Sequence, residues 1–339
     1  MNAIAIVPFT SVWTDLWDEF IRNSSRNGTI FHERRFLSYH GPRFEDCSIL
    51  VVDAKDDAIL AVCPAAFKDE QGVRGVVSHP GSTYGGVIFR DDLKTQELKA
   101  ILEVIISHYN GLGARFFRLI LQEEFPTGRT TGELTYLLWH RGFGLAKEAS
   151  SFVDLHSTAG LTNFRKTTSQ YIRSRKGERL GLEHHLATDD ALITQTYACI
   201  ANNLSARHGK SPTHSLEELL VLRKLYPDRI GVFCTTCSGK VISAVVAFEL
   251  DKQVVHDFYI AQDYEYTHMS PLIGLFMYIF AHYAAKGFDY FNFVISSRGR
   301  WIKWGILNFK EQFGARMLTR DVWSLSGLEG KWPYDGAPT

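Results

Sequence analysis

The chain has 339 residues, 45% of them hydrophobic and 22% charged, a composition that excludes a disordered or fibrous chain. At roughly 150 residues per domain, the length suits two domains or one large one. Lys and Arg number 37 and so do Asp and Glu. The formal charge is therefore zero, and no overall basic field exists to hold a long nucleic acid, although a local patch can still bind phosphates.

An amphipathic helix is predicted from about Val12 to Arg22, with Val12, Leu16 and Phe20 on its apolar face, and a short helix near His32. Ser48 to Asp53 and Ala58 to Cys63, joined by a turn at Asp56-Asp57, read as a hairpin. A third strand, Gly75 to Ser78, runs into the loop His79-Pro-Gly-Ser-Thr-Tyr-Gly-Gly86. A helix from about Thr95 to Tyr109 ends at the glycines 111 and 113, and the strand Arg115 to Leu121 follows.

The second half repeats the order. A helix is predicted over Ala191 to Ala206, and another starts at Ser215, where Glu218 completes a capping box. Ile230 to Cys234 and Val241 to Phe248 flank a turn at Ser238-Gly239. The strand Val254 to Ile260, a loop, the helix Pro271 to Ala285 and the strand Tyr290 to Ile295 come next. The interval between the helix-ending glycines Gly111 and Gly287 nearly equals that between the closing segments Trp139–Gly144 and Phe309–Gly314. This agreement predicts a duplicated domain, divided into residues 1–150 and 151–339.

Five scattered cysteines form no disulfide framework and point to a reducing compartment. Met1 to Asp15 lacks the pattern of a signal peptide. The uncharged run Thr267 to Ala285 is long enough for a membrane span, but a following Lys286-Gly287 and strands favour a buried helix. These features predict a cytoplasmic protein without a membrane span. Cys234-x-x-Cys237 supplies only one pair with metal spacing, so no metal site is expected.

Two helices, an antiparallel meander, a crossover helix and a further strand give the order of a GNAT acyltransferase domain. Two such units in tandem resemble the Fem-type (FemAB/FemX-like) nonribosomal peptidyltransferases. The resemblance spans nearly the whole chain. It is sharpest in Asn308-Phe-Lys-Glu-Gln-Phe-Gly314, in the basic stretch Arg165-Lys166 to Lys176, and in the loop Ser78 to Gly86. It implies an α+β fold with two GNAT-like domains, each a mixed, mostly antiparallel sheet flanked by helices. The chain departs from relatives in lacking a long charged helical hairpin and a Gln/Arg-x-x-Gly-x-Gly/Ala loop; Tyr266 to Pro271 stands where that loop belongs.

Six cations lie between Arg165 and Arg179. Arg173 and Lys176 are the leading pair for holding a substrate diphosphate, because Arg173 best matches the family's basic position and arginine offers a bidentate fork. The alternative is a solvated helix face. In the glycine-rich loop, His79 titrates near neutrality and is a candidate base, although a lone histidine is more often structural, and Tyr84 is a candidate substrate-positioning residue. On the strand from Val254, alternation puts Asp257 and Tyr259 on one face and His256 on the other. In a GNAT domain this strand splays from the next, which makes Asp257 a candidate catalytic carboxylate and Tyr259 a substrate contact. Asn292 on the neighbouring strand is a candidate anchor for the acyl arm, and His268 and Ser270 for the donor's phosphates. Lys310 is a donor to a phosphate or an oxyanion, or else a snorkelling lysine.

The expected function is N-acyl transfer from acyl-CoA to the amine of a nucleotide-linked amino sugar, a precursor of cell-surface polysaccharide. Coenzyme A is then the cofactor, and no long nucleic acid is a partner. The alternatives are aminoacyl transfer from tRNA to a UDP-muropeptide on the same fold, and a non-catalytic binding protein.

Overall fold

In a computed structural model of the chain, residues 3–127, 130–156 and 169–328 are described; Arg165 and Lys166 of the basic stretch lie outside the described residues. The order opens with β1 (Ile4–Pro8), α1 (Thr14–Asn23), α2 (Arg34–Leu37), β2 (Ile49–Asp53), β3 (Ile59–Cys63), β4 (Ala65–Glu70), β5 (Val73–Ser78) and β6 (Ile88–Phe89). Then come α3 (Thr95–Gly111), β7 (Phe116–Ile120), α4 (Gly132–Arg141) and β8 (Gly144–Asp154). The chain continues through α5 (Ser169–Arg179), β9 (Leu182–Leu186), α6 (Asp190–His208), α7 (Leu216–Leu225), β10 (Ile230–Cys237), β11 (Lys240–Glu249) and β12 (Val254–Gln262). It closes with α8 (Pro271–Ala285), β13 (Tyr290–Ile295), β14 (Ser297–Arg298), β15 (Trp301–Ile302), α9 (Trp304–Glu311) and β16 (Arg316–Ser326).

Two compact units result. The first draws its described residues from Met1–Glu148 and Thr319–Thr339, the second from Ala149–Leu318. Strands β8 and β16 carry the chain out of the first unit and back into it.

In the first unit, β1, β2, β3 and β6 form one sheet, and β4, β5, β7 and β16 run in that order in another. The single meander expected from Ser48 to Ser78 is thus divided. Pro64 stands at the division; it has no N–H to give to a ladder, and the run stops there. The buried face of α1 also differs from expectation. Val12 is 81% and Leu16 53% exposed, whereas Trp17, Phe20 and Ile21 pack on Leu50, Val52, Val62 and Ile88. The helix begins only at Thr14, and the i, i+3, i+4 set that faces the sheet is 17, 20, 21.

In the second unit the strands run β8, β13, β12, β11, β10, β9. All neighbours are antiparallel except β12 and β13, which are parallel and joined by the crossover helix α8. Ser215 and Glu218 form the expected capping box at α7. Helix α8 occupies the predicted span. It is apolar because it sits in the core: Leu275, Phe276, Ile279 and Phe280 pack with Val245, Val255, Phe291 and Phe293. Among the described residues no helix is long and apolar enough to cross a membrane.

Candidate active site

The site grows from the divergence of β12 and β13. Their parallel ladder lasts three pairs, Val254 with Tyr290, Val255 with Phe291 and His256 with Asn292. Two local distortions end it. On β12 the register to β11 slips between Val246–Tyr259 and Ala247–Asp257, which leaves Phe258 as an extra residue, and such a bulge bends its strand away. On β13, Val294 takes φ of +62°, and pairing with β8 is interrupted between Asn292 and Ile295.

The bulge corrects the expectation that Asp257 and Tyr259 share a face. An extra residue reverses the alternation beyond it. Val255 and Ile260 both pack in the α8 core, so Asp257 lies on the α8 side. The Tyr259 hydroxyl sits 3.0 Å from both the backbone N and the Nδ1 of His214, in the loop between α6 and α7. Tyr259 therefore braces that loop.

Asp257 is 3% exposed, and its Oδ1 has no hydrogen-bond partner among the described residues. Burial pushes its carboxyl well above the usual carboxylate range, against the pull of the Lys310 ammonium. This is a carboxylate whose proton affinity is raised at the point where two strands open. Lys310, on the inner side of α9, is 2% exposed. Its Nζ donates to the carbonyls of Val294 at 2.9 Å and Ile295 at 3.2 Å. It fastens the kinked end of β13 and stands as counter-charge to Asp257. Asn292 is fully buried; its Oδ1 accepts from the Val294 N–H at 2.8 Å and the Ser150 hydroxyl at 3.2 Å. The side chain expected to anchor an acyl arm braces the end of the strand.

At the start of α8, Ser270 adopts φ of +57° and ψ of +49° and precedes Pro271 at the first helical position. Proline brings no N–H, and the Ile273 N–H is given to the Ser270 carbonyl at 3.1 Å. Fewer backbone donors remain for an anion than at an ordinary helix start. Arg173 on α5 reaches the same point. Its Nε donates to Ser270 Oγ at 3.2 Å, and another guanidinium nitrogen to Gln312 Oε1 at 3.4 Å. Arg173 thus joins Ser270, which the sequence groups with the donor's phosphates. Lys176 is exposed one turn further along α5, and His268 is exposed with Nδ1 3.2 Å from the Glu265 carbonyl.

His79 and Tyr84 belong to the first unit. His79 is 4% exposed, and desolvation lowers it from 6.5 to about 4. Its Nδ1 accepts the Gly81 N–H at 3.2 Å, so the ring's acceptor nitrogen is spent inside the loop. Tyr84 is fully buried, with its hydroxyl on Glu123 at 2.5 Å. The loop glycines serve close approach of the chain to itself: a Cβ on Gly81 would meet the His40 ring at 1.8 Å. The bulge at Phe258 and the clamp by Lys310 escaped the sequence reading, because neither a ladder slip nor a bond to backbone carbonyls leaves a residue motif. Among the described residues no cluster of three His, Cys, Asp or Glu stands ready for a metal.

A parallel pair joined by a crossover helix, opening beyond a bulge, defines a GNAT unit, and residues 162–310 match the acetyltransferase (GNAT) domain family. A sequence search among curated proteins finds no match. Among solved structures the chain is similar to FemX, at 11% identity and a TM-score of 0.68 over 94% of this chain and 96% of that one. It is similar to L-PGS from Bacillus licheniformis, at 13% identity and 0.57 over 86% and 87%. A tandem GNAT protein from the clavulanic acid biosynthesis pathway matches at 9% identity and 0.51 over 96% and 98%. The fold is a tandem GNAT fold of the α+β class. The chain resembles the Fem-type proteins, and its second unit carries a GNAT acyltransferase domain.

Proposed function

We propose that the second unit transfers an acyl group from acyl-CoA to the amine of a nucleotide-linked amino sugar. The observation that carries this reading is the position of Asp257: a buried carboxyl of raised proton affinity at the first residue beyond the β12–β13 ladder. In this reading Asp257 takes a proton from the acceptor's ammonium. The neutral amine attacks the thioester carbonyl, the C–N bond forms, the C–S bond breaks with the electron pair leaving on sulfur, and the nitrogen gives up its extra proton to that sulfur as the amide forms. A thiolate leaves readily, so no covalent enzyme intermediate is needed. Holding amine and carbonyl together supplies much of the acceleration, and strand N–H groups freed by the splay stabilise the oxyanion. Arg173 and Ser270 hold the donor's diphosphate, and Lys176 the acceptor's.

A second reading, aminoacyl transfer on the same fold, is favoured by the likeness to FemX and to L-PGS and by the scarcity of backbone donors at Ser270-Pro271. Thiol release separates the two. Acyl-CoA with a nucleotide-linked amino sugar should release free thiol in the presence of the protein. Absence of thiol across a panel of acyl-CoAs, with consumption of aminoacyl-tRNA in the presence of a muropeptide, would establish the second.

A further inference from the structure

The segment from Ser297 to Ile306 gathers open aromatic side chains and cations on one short stretch of surface. Strands β14 and β15 form a two-residue hairpin whose turn holds Gly299 at φ of +55°. Trp301 on β15 is 82% exposed, and Trp304 and Ile306 on α9 are 63% and 43% exposed. Arg298, Arg300 and Lys303 alternate with these apolar groups and are exposed; none makes an ion pair among the described residues, and the segment contains no acid. In a chain of zero net charge, three uncompensated cations around two open tryptophans form a local basic and aromatic patch. Its base is fixed: Lys303 N–H donates to the Ser296 carbonyl at 2.7 Å, and Ser297 Oγ accepts the Ala149 N–H at 2.9 Å.

We propose that this hairpin and the first turn of α9 dock on an anionic phospholipid surface. The chemistry of the patch is the chemistry of a membrane interface. Tryptophan places its ring at the headgroup level, where one side is apolar and the indole N–H stays wet. Isoleucine adds aliphatic surface for the acyl boundary. Arginine and lysine are drawn to anionic headgroups, each strengthening partition roughly fivefold at low salt. A single-stranded nucleic acid also takes cations and aromatic rings. It gains nothing from Ile306, and a ring as open as Trp301 offers one wall without a groove. Helix α9 links the patch to the gap, since Trp304 and Ile306 point outward while Lys310 on the same helix clamps β13. The docking is independent of which acyl donor the enzyme uses.

The test is co-sedimentation of the full chain with vesicles of phosphatidylcholine, alone or mixed with phosphatidylglycerol, at low and high salt. Binding is expected to the mixed vesicles only and to fall with salt. Replacing Arg298, Arg300 and Lys303 together by Gln should weaken it about a hundredfold by the same per-charge factor. Trp301→Ala should weaken it while leaving thermal unfolding unchanged, and brominated lipid should quench Trp301→Phe less than the wild type, the remaining quenching coming from Trp304. No binding to mixed vesicles, or binding that these variants do not alter, overturns the proposal. So does binding of a single-stranded RNA oligonucleotide that the same variants abolish while vesicle binding stays absent. A change of oligomeric state in Trp301→Ala would instead assign the patch to a second copy of the chain, and also overturns it.

Discussion

Both units contain a parallel pair of strands joined by a crossover helix, and the two pairs come to different ends. In the first unit, β5 and β7 pair only at Val76 with Phe117 and Val77 with Arg118. The opening beyond is filled by the chain itself. Ser78 Oγ accepts the Ile120 N–H at 2.9 Å, and the Gly85 N–H donates to the Ile120 carbonyl at 2.8 Å. In the second unit the same opening beyond His256 and Asn292 is held by Lys310 on two carbonyls and contains the buried Asp257. One element order thus supports two states of a cleft: one sealed by a loop that satisfies its backbone, the other left with an unpaired carboxylate oxygen. Repetition of the fold does not repeat the site.

The comparison breaks most sharply at Asp257. Asp257→Asn should lower kcat for acyl transfer by about 10²–10⁴-fold, with the KM for acyl donor little changed. Ser78→Ala, at the sealed cleft, should leave kcat where it was. Steady-state kinetics of both variants measures this, and full activity in Asp257→Asn would remove the distinction between the clefts. The same variant has a stability signature of opposite sense. The folded carboxyl holds its proton to higher pH than the unfolded one does. The folded state therefore binds more protons above the ordinary carboxylate pKa, and stability falls as pH rises through that window. Asp257→Asn should abolish that decline and unfold later than the wild type at neutral pH, as denaturant titrations at several pH values would record.

Arg173→Ala is the next in size. A charge-assisted hydrogen bond contributes roughly 1.5–3 kcal/mol, so calorimetric titration should show CoA affinity reduced ten- to a hundredfold. Affinity for a nucleotide sugar should hold. The reverse outcome would place the acceptor's phosphates at the start of α8 and leave the donor without its arginine.

Much of the fold was legible because hydrophobic period and punctuation agree. The capping box at Ser215 and the uncharged run after Pro271 marked α7 and α8, and β11, β12 and β13 read to within two residues, whereas β8, β9 and the hairpin β14–β15 were not anticipated. The first unit was less legible. Ile4–Pro8 is only partly buried, Ala65–Glu70 is half polar, and nothing in a run of β-formers announces that Pro64 will send them to different sheets. Asp257 and Lys310 stood out as polar groups among apolar neighbours, but what they touch depends on strand slips that alternation cannot see. His79 and Tyr84 looked functional for the converse reason. A loop rich in glycine, histidine and tyrosine has the same composition whether it cradles a ligand or its own backbone, and only the bonds at Gly81, Gly85 and Glu123 distinguish the two.

The smallest effect is expected at His79, and it tests the sealed cleft directly. A general base needs a nitrogen lone pair aimed at substrate, and the Nδ1 lone pair of His79 already takes the Gly81 N–H. His79→Leu keeps a side chain of similar bulk and removes that acceptor. It should leave kcat unchanged and destabilise the protein by about 1 kcal/mol at neutral pH, the cost of taking the partner from a part-buried donor. The difference should shrink on acidification. Folded His79 stays neutral down to about 4, while the unfolded side chain takes a proton near 6.5. The wild type therefore loses stability as pH falls through this window, and the leucine variant is spared that share of the loss. His32 and His184, held at about 3 and about 4 by burial, keep their own contributions in both proteins. Urea unfolding of the two proteins across the window measures the convergence. A variant that unfolds like the wild type at every pH but has lost its kcat would return His79 to catalysis and open the cleft that the first unit is argued to have closed.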